Sequence, residues 1–185
     1  MNINFIPIIA APLDDRRGLF LSTAQRLGTT LQNIEKDFWM CLVLDLLFND
    51  RDEHEPRLLF KGGTSLSKAF GLISRFSEDV DITVFREDLG QNVEINNMEG
   101  LSGKQQNKHL DAIKKSCQTY IKGQLKERLN QKMMKILSEI DRGNIDIPVV
   151  LDPDDPDQQT LLIYYPPIDT KKVEYYLCSP RIICL

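Results

Sequence analysis

Phe60-Lys61-Gly62-Gly63-Thr64-Ser65-Leu66 and, one short segment later, Ser77-Glu78-Asp79-Val80-Asp81-Ile82 decide how this chain is read. Leu58-Leu59-Phe60 has the makings of a short buried strand, ended by a glycine pair that opens a helix. From Asp79 to Phe85 the residues alternate, with Val80, Ile82 and Val84 on one side and Asp79, Asp81 and Thr83 on the other. Both carboxylates therefore share a face opposite the core residues. Glycine lets a ligand approach the backbone closely. N–H groups at a helix start can hold a polyphosphate, and paired carboxylates can hold a divalent cation. The pattern predicts a metal-dependent, nucleotide-handling site on an α/β fold, with a small mixed sheet flanked by helices.

Upstream, residues 19–48 carry Leu27, Leu31, Ile34, Phe38, Cys41, Leu42 and Leu46 at three- and four-residue intervals, an apolar helical stripe. Gly28 and Thr29-Thr30 can split it in two, with Asn33 as N-cap of the second helix. After the glycine pair, Thr64 is placed to cap a helix whose core face is Leu66, Ala69, Phe70 and Ile73, leaving Ser65 and Lys68 on other faces. Residues 86–103 form a polar loop. A long helical insertion over 104–142 follows, apolar at Leu110, Ile113, Cys117, Tyr120, Ile121, Leu125, Leu129, Ile136 and Ile140, with Gly123 marking a bend. Its eight lysines (104, 108, 114, 115, 122, 126, 132 and 135) suit either a solvated face or an RNA- or partner-binding one. Ile145–Leu151 and Thr160–Tyr165 read as strands joined by the acidic turn Asp152 to Asp157. Arg181 to Leu185 reads as the start of a buried strand. The division is one domain over residues 1–185, with N-terminal helices 19–48, a core at 57–86, the insertion, and strands over 145–185.

Apolar and charged fractions of 42% and 27% are those of a globular chain. A net charge of −4 excludes a generally basic nucleic-acid binder. No run reaches transmembrane length, so no membrane partner is expected. Cys41, Cys117, Cys178 and Cys184 form no CxxC pair, and His54 and His109 stand apart from them, so zinc-ligand spacing is absent. Reduced thiols and a cytoplasmic location follow as expectations.

Nucleotidyl transfer needs converging carboxylates for Mg²⁺ and a loop that meets the triphosphate. Asp79 and Asp81 suit the metal. Gly62 and Gly63 suit the loop, and Thr64 or Ser65 can bond a phosphate oxygen. Lys61, Lys68 and Arg75 are cations near in sequence. The order of strand, Gly-Gly turn, helix and Asp-x-Asp strand resembles the DNA polymerase beta-type nucleotidyltransferase superfamily. The whole string from Phe60 to Ile82 is similar to the AbiEii/AbiGii toxin family, and Glu35-Lys36-Asp37-Phe38-Trp39 and Asp154 to Leu162 extend the likeness over roughly residues 33–165.

That resemblance implies a palm-like fold and Mg²⁺ held by Asp79 and Asp81. It also implies NTP held by Gly62, Gly63, Thr64, Ser65 and Lys68, an RNA acceptor (in some members the tRNA 3′ end), and a cognate antitoxin. It further implies a third carboxylate after an apolar run like Arg181 to Leu185, and a C-terminal half with later motifs. Neither is present, and Asp169 and Glu174 are only nearby substitutes. Two readings stand: a nucleotidyltransferase of toxin type, and a truncated, catalytically incomplete module that binds nucleotide or antitoxin. A metal-dependent nuclease gives no reason for the Gly-Gly-Thr-Ser turn. A P-loop is disfavoured because Lys61 precedes the glycines.

Overall fold

Gly28 ends one helix and Thr30 begins the next. The computed structural model describes residues 4–72, 79–92, 100–140, 146–168 and 176–184, the last stretch by its backbone. Helices α1 (Phe5–Ala10), α2 (Leu13–Leu27) and α3 (Leu31–Phe48) open the chain. Gly28 takes a left-handed φ of 66° at the end of α2, a conformation that costs a side chain its comfort. The Thr30 hydroxyl accepts from the Asn33 N–H at 3.2 Å, so Thr30 is the N-cap and Asn33 lies inside the first turn, contrary to the expectation. The apolar stripe is also interrupted there. Leu27 is 62% exposed because it precedes the break, while Trp39, Met40, Leu42, Val43, Leu46 and Leu47 form the buried face of α3.

Those residues pack on a mixed five-stranded sheet ordered β1-β2-β5-β4-β3. Its strands are β1 (Leu58–Lys61), β2 (Asp79–Val84), β3 (Val149–Leu151), β4 (Leu161–Tyr165) and β5 (Tyr176–Cys184). β1 and β2 are antiparallel, β2 and β5 parallel, and β3, β4 and β5 successively antiparallel. Two contacts lock α3 to β4 and its exit. Trp39 stacks on Tyr165 at 4.9 Å between ring centres, and buried Glu35 accepts from the Ile168 N–H at 2.8 Å. On β2, Val80, Ile82 and Val84 are fully buried in this core, as their alternation predicts.

The insertion is a helix in two parts, α5 (Gly103–Tyr120) and α6 (Lys126–Glu139), joined by a π-helical turn over Ile121–Leu125. Gly123 sits within that turn, where the sequence predicted a bend. All the expected core residues from Ile113 onward are buried, whereas Leu110 is 55% exposed. Three of the eight lysines hold the chain to itself. Lys132 donates to the carbonyls of Leu46 (3.0 Å) and Asn49 (2.6 Å), and Arg128 reaches the Leu46 and Leu47 carbonyls. With Arg51, which also donates to the Leu47 carbonyl at 3.1 Å, these cations satisfy the carbonyls at the end of α3. Lys114 pairs with Asp157 at 2.5 Å, and Lys122 bonds Gln158, so the acidic turn fastens the insertion to the β3–β4 hairpin.

Asp155 builds that turn. Its carboxylate accepts from the N–H groups of Asp157 and Gln159 (both 2.9 Å) and from the Thr160 hydroxyl (2.8 Å). Partial burial alone would raise its pKa, but these donors hold it below the usual carboxylate range. A depressed folded-state pKa contributes stability that is present above the unfolded value near about 4 and lost as pH falls through the folded value. Asp155→Ala is therefore expected to cost about 1–2 kcal/mol at pH 7 by urea unfolding. The gap to wild type should narrow steadily below about pH 4; a gap that stays constant to acid pH contradicts this assignment.

Candidate active site

The antiparallel register of β1 on β2 sets Lys61 directly across from Asp81, and Leu59 across from Thr83. Residues directly opposite in such a pair share a face. Lys61, Asp79, Asp81 and Thr83 therefore lie on the side of the sheet away from Val80, Ile82 and α3. Asp79 is exposed, Asp81 is half-buried, and Thr83 is fully buried.

α4 (Gly62–Lys68) starts at once after β1, and its first residue meets the second carboxylate. Gly62 has φ +74°. A Cβ built there would overlap Asp81 Oδ2 and would lie 3.1 Å from Asp81 Cγ and 3.2 Å from its Cβ. Glycine is required here twice over, by its backbone conformation and by the carboxylate that lies against it. The glycine pair and the Asp-x-Asp strand, separate in sequence, thus form one structure.

The two hydroxyls expected to meet phosphate have backbone partners. Thr64 does not cap α4, which begins two residues earlier with Lys61 at the N-cap position. Its buried Oγ1 donates to the Asp79 carbonyl at 2.5 Å and pins the helix to β2. Ser65, also buried, donates to the Gly62 carbonyl at 2.8 Å and closes the turn. A hydroxyl has a single proton to donate, and both are committed to the main chain. The predicted core face of α4 is corrected as well, with Leu66 42% and Phe70 67% exposed. α4 is only seven residues long, too short to lay an apolar stripe along the core.

The cations separate clearly. Lys61 stands on the carboxylate face. The Lys68 ammonium instead pairs with Asp37 of α3, behind the sheet. Arg75, with Ile73, Ser77 and Glu78, lies outside the described residues, as do Asp169 and Glu174. Sequence spacing alone ranked Lys61 and Lys68 together; only the strand register tells them apart.

β5 bears on the expected third carboxylate. Ser179 is level with Asp79 and Arg181 with Asp81, while Cys184 is level with Val84. The apolar run from Arg181 thus leads away from the acidic pair by about 3.3 Å per residue. Among the described residues, no group of three or more Asp, Glu, His or Cys side chains is placed to hold a metal ion. Two hard carboxylates beside an open, glycine-built turn fit Mg²⁺, which commonly takes one or two carboxylates and completes its shell with water and substrate phosphates.

A separate hollow of about 790 Å³ is lined by Pro56, Asp88, Gln91, Ser116, Tyr120 and Gly123. Asp88 lies beyond the far end of β2, and six strand residues span roughly 20 Å. The hollow is therefore not part of the carboxylate site.

The double requirement at Gly62 can be isolated with a control. Gly90 has φ +73° but open space where a Cβ would go. Gly90→Ala is expected to cost about 1–2 kcal/mol by urea unfolding, from backbone strain alone. Gly62→Ala should cost clearly more, because Asp81 must also move. Equal losses contradict the contact.

A family model described as nucleotidyl transferase AbiEii toxin, type IV toxin–antitoxin system, matches residues 45–174. No curated protein and no solved structure matches the chain. The matched region covers well over half of the sequence and contains the glycine turn, both carboxylates and the insertion. The chain belongs to the AbiEii nucleotidyl transferase toxin family.

Proposed function

We propose that this protein transfers a nucleotide from an NTP to a hydroxyl of an RNA acceptor, with Mg²⁺ held by Asp79 and Asp81. The seating of the Asp81 carboxylate against Gly62 carries the reading. It sets a carboxylate oxygen, of the kind that can hold a divalent cation, beside a turn whose backbone can approach a polyphosphate. When bound, Mg²⁺ would supply positive charge to the phosphates and lower the pKa of an attacking hydroxyl.

The chain's own residues hold the geometry in this reading. Gly62 seats the Asp81 carboxylate where a side chain would stand, and the backbone of the turn it shares with Gly63 is offered to phosphate. Thr64 and Ser65 fix the turn by their main-chain bonds. Lys61, across from Asp81, offsets the negative charge that gathers when a triphosphate nears two carboxylates. The acceptor is proposed to be RNA, the tRNA 3′ end included, and the type IV toxin–antitoxin description of the family supports an antitoxin as protein partner. Among the described residues no helix is long and apolar enough to cross a membrane.

The competing reading is a catalytically incomplete module that binds nucleotide or antitoxin without turnover. Transfer of labelled NTP into RNA separates the two. Asp79→Ala and Asp81→Ala should each lower transfer by at least about a hundredfold, on the scale of losing a group that stabilises transition-state charge, with circular dichroism unchanged. Undiminished transfer in both variants contradicts the proposal. NTP binding by wild type with no product under any condition favours the binding module.

A further inference from the structure

α4 has little apolar burial to hold it. Leu66 is 42% exposed, and Phe70 and Leu72, just beyond the helix, are 67% and 70% exposed. A helix whose outer side chains face water must be fixed by other means. Polar and close-packing contacts that fix it include Gly62 against Asp81, Thr64 to the Asp79 carbonyl, and Lys68 to Asp37. The first two face the sheet. The third reaches back to α3, the helix that Glu35 and Trp39 anchor in the core.

The Asp37–Lys68 pair differs from an ordinary surface ion pair, whose contribution is usually small. Each side chain is only about a third exposed, at 31% for Asp37 and 30% for Lys68. The Asp37 Oδ1 atom itself is shielded from solvent and makes no aligned hydrogen bond, so the Lys68 ammonium meets it as an ion pair. Cys41, one turn farther along α3, shares the enclosure. Burial pushes its thiol pKa up, Asp37 adds to this, and Lys68 opposes it. Were Lys68 to swing toward a phosphate, it would leave a carboxylate oxygen shielded and unpaired, which is costly.

We infer that Asp37 and Lys68 are a positioning pair that sets the Gly62–Gly63 turn through α4, and that Lys68 acts through this tether without contacting the nucleotide. This rests on the proposed nucleotidyl-transfer reading for its functional consequence, but not for the tether itself. α4 is about 10 Å long at 1.5 Å per residue, so a fixed last turn restrains the first. Glu35-Lys36-Asp37, a motif the catalytic reading leaves unused, thereby gains a role: Glu35 anchors β4's exit and Asp37 anchors the glycine turn.

The test uses Asp37→Asn, Lys68→Met, the double variant, and the charge-exchanged Asp37→Lys/Lys68→Asp protein. Hydrogen exchange of the 62–68 amides reads the tether independently of catalysis. It should speed up at least tenfold in each single variant and slow again on charge exchange. In the transfer assay, kcat/KM should fall about equally in the two single variants and no further in the double, as for two members of one interaction, with recovery on charge exchange. Unaltered exchange in both single variants overturns the tether. A large loss in Lys68→Met beside near-normal Asp37→Asn, with no recovery on charge exchange, overturns the inference by making Lys68 a nucleotide ligand. Undiminished transfer by Asp79→Ala and Asp81→Ala removes the nucleotidyl-transfer reading instead, while the exchange data still decide the tether.

Discussion

The contact of the Asp81 carboxylate with Gly62 is the constraint around which the site is built. It requires a residue without a Cβ and with positive φ at the end of β1. It requires β1 and β2 to be antiparallel with Lys61 opposite Asp81, since a slip of one residue would turn the carboxylates into the core. The same register buries Val80, Ile82 and Val84 against α3. Core packing and site geometry therefore select one alignment, so the hydrophobic effect on one face of β2 positions the carboxylates on the other.

Around that contact the polar groups are mostly occupied with structure. The Thr64 and Ser65 hydroxyls, buried and bonded to carbonyls, stiffen the turn; the open backbone and the carboxylates remain for chemistry. The insertion follows the same economy. Arg128 and Lys132 satisfy the carbonyls at the end of α3, and Lys114 and Lys122 fasten the acidic hairpin turn. A lysine-rich composition here reflects internal tethering at least in these positions, and only the lysines left over are available to an RNA or protein partner.

Much of this was legible in the sequence because it rests on local period. The alternation of β2, the strand before the glycines and the helical insertion all follow from spacing of two or about 3.6 residues. What was not legible depends on long-range pairing. Thr30 rather than Asn33 caps α3, since either residue type serves and only the chain's path decides. Leu66 and Phe70 fit a helical core face by spacing, yet α4 stops at Lys68 before such a face can form. Lys61 and Lys68 look alike in the sequence, whereas register sends one to the carboxylates and an ion pair ties the other to α3. The parallel alignment of β5 with β2, which draws the end of the apolar run away from the acids, had no local signature at all.

The most direct measurement is the anomalous scattering of Mn²⁺ in crystals of the protein grown with a non-hydrolysable NTP analogue. The account predicts a metal peak bonded to carboxylate oxygens of both Asp79 and Asp81 at about 2.1 Å, with the triphosphate against the Gly62–Gly63 backbone. A metal and triphosphate bound away from these two side chains, with Asp81 still resting on Gly62, would contradict it.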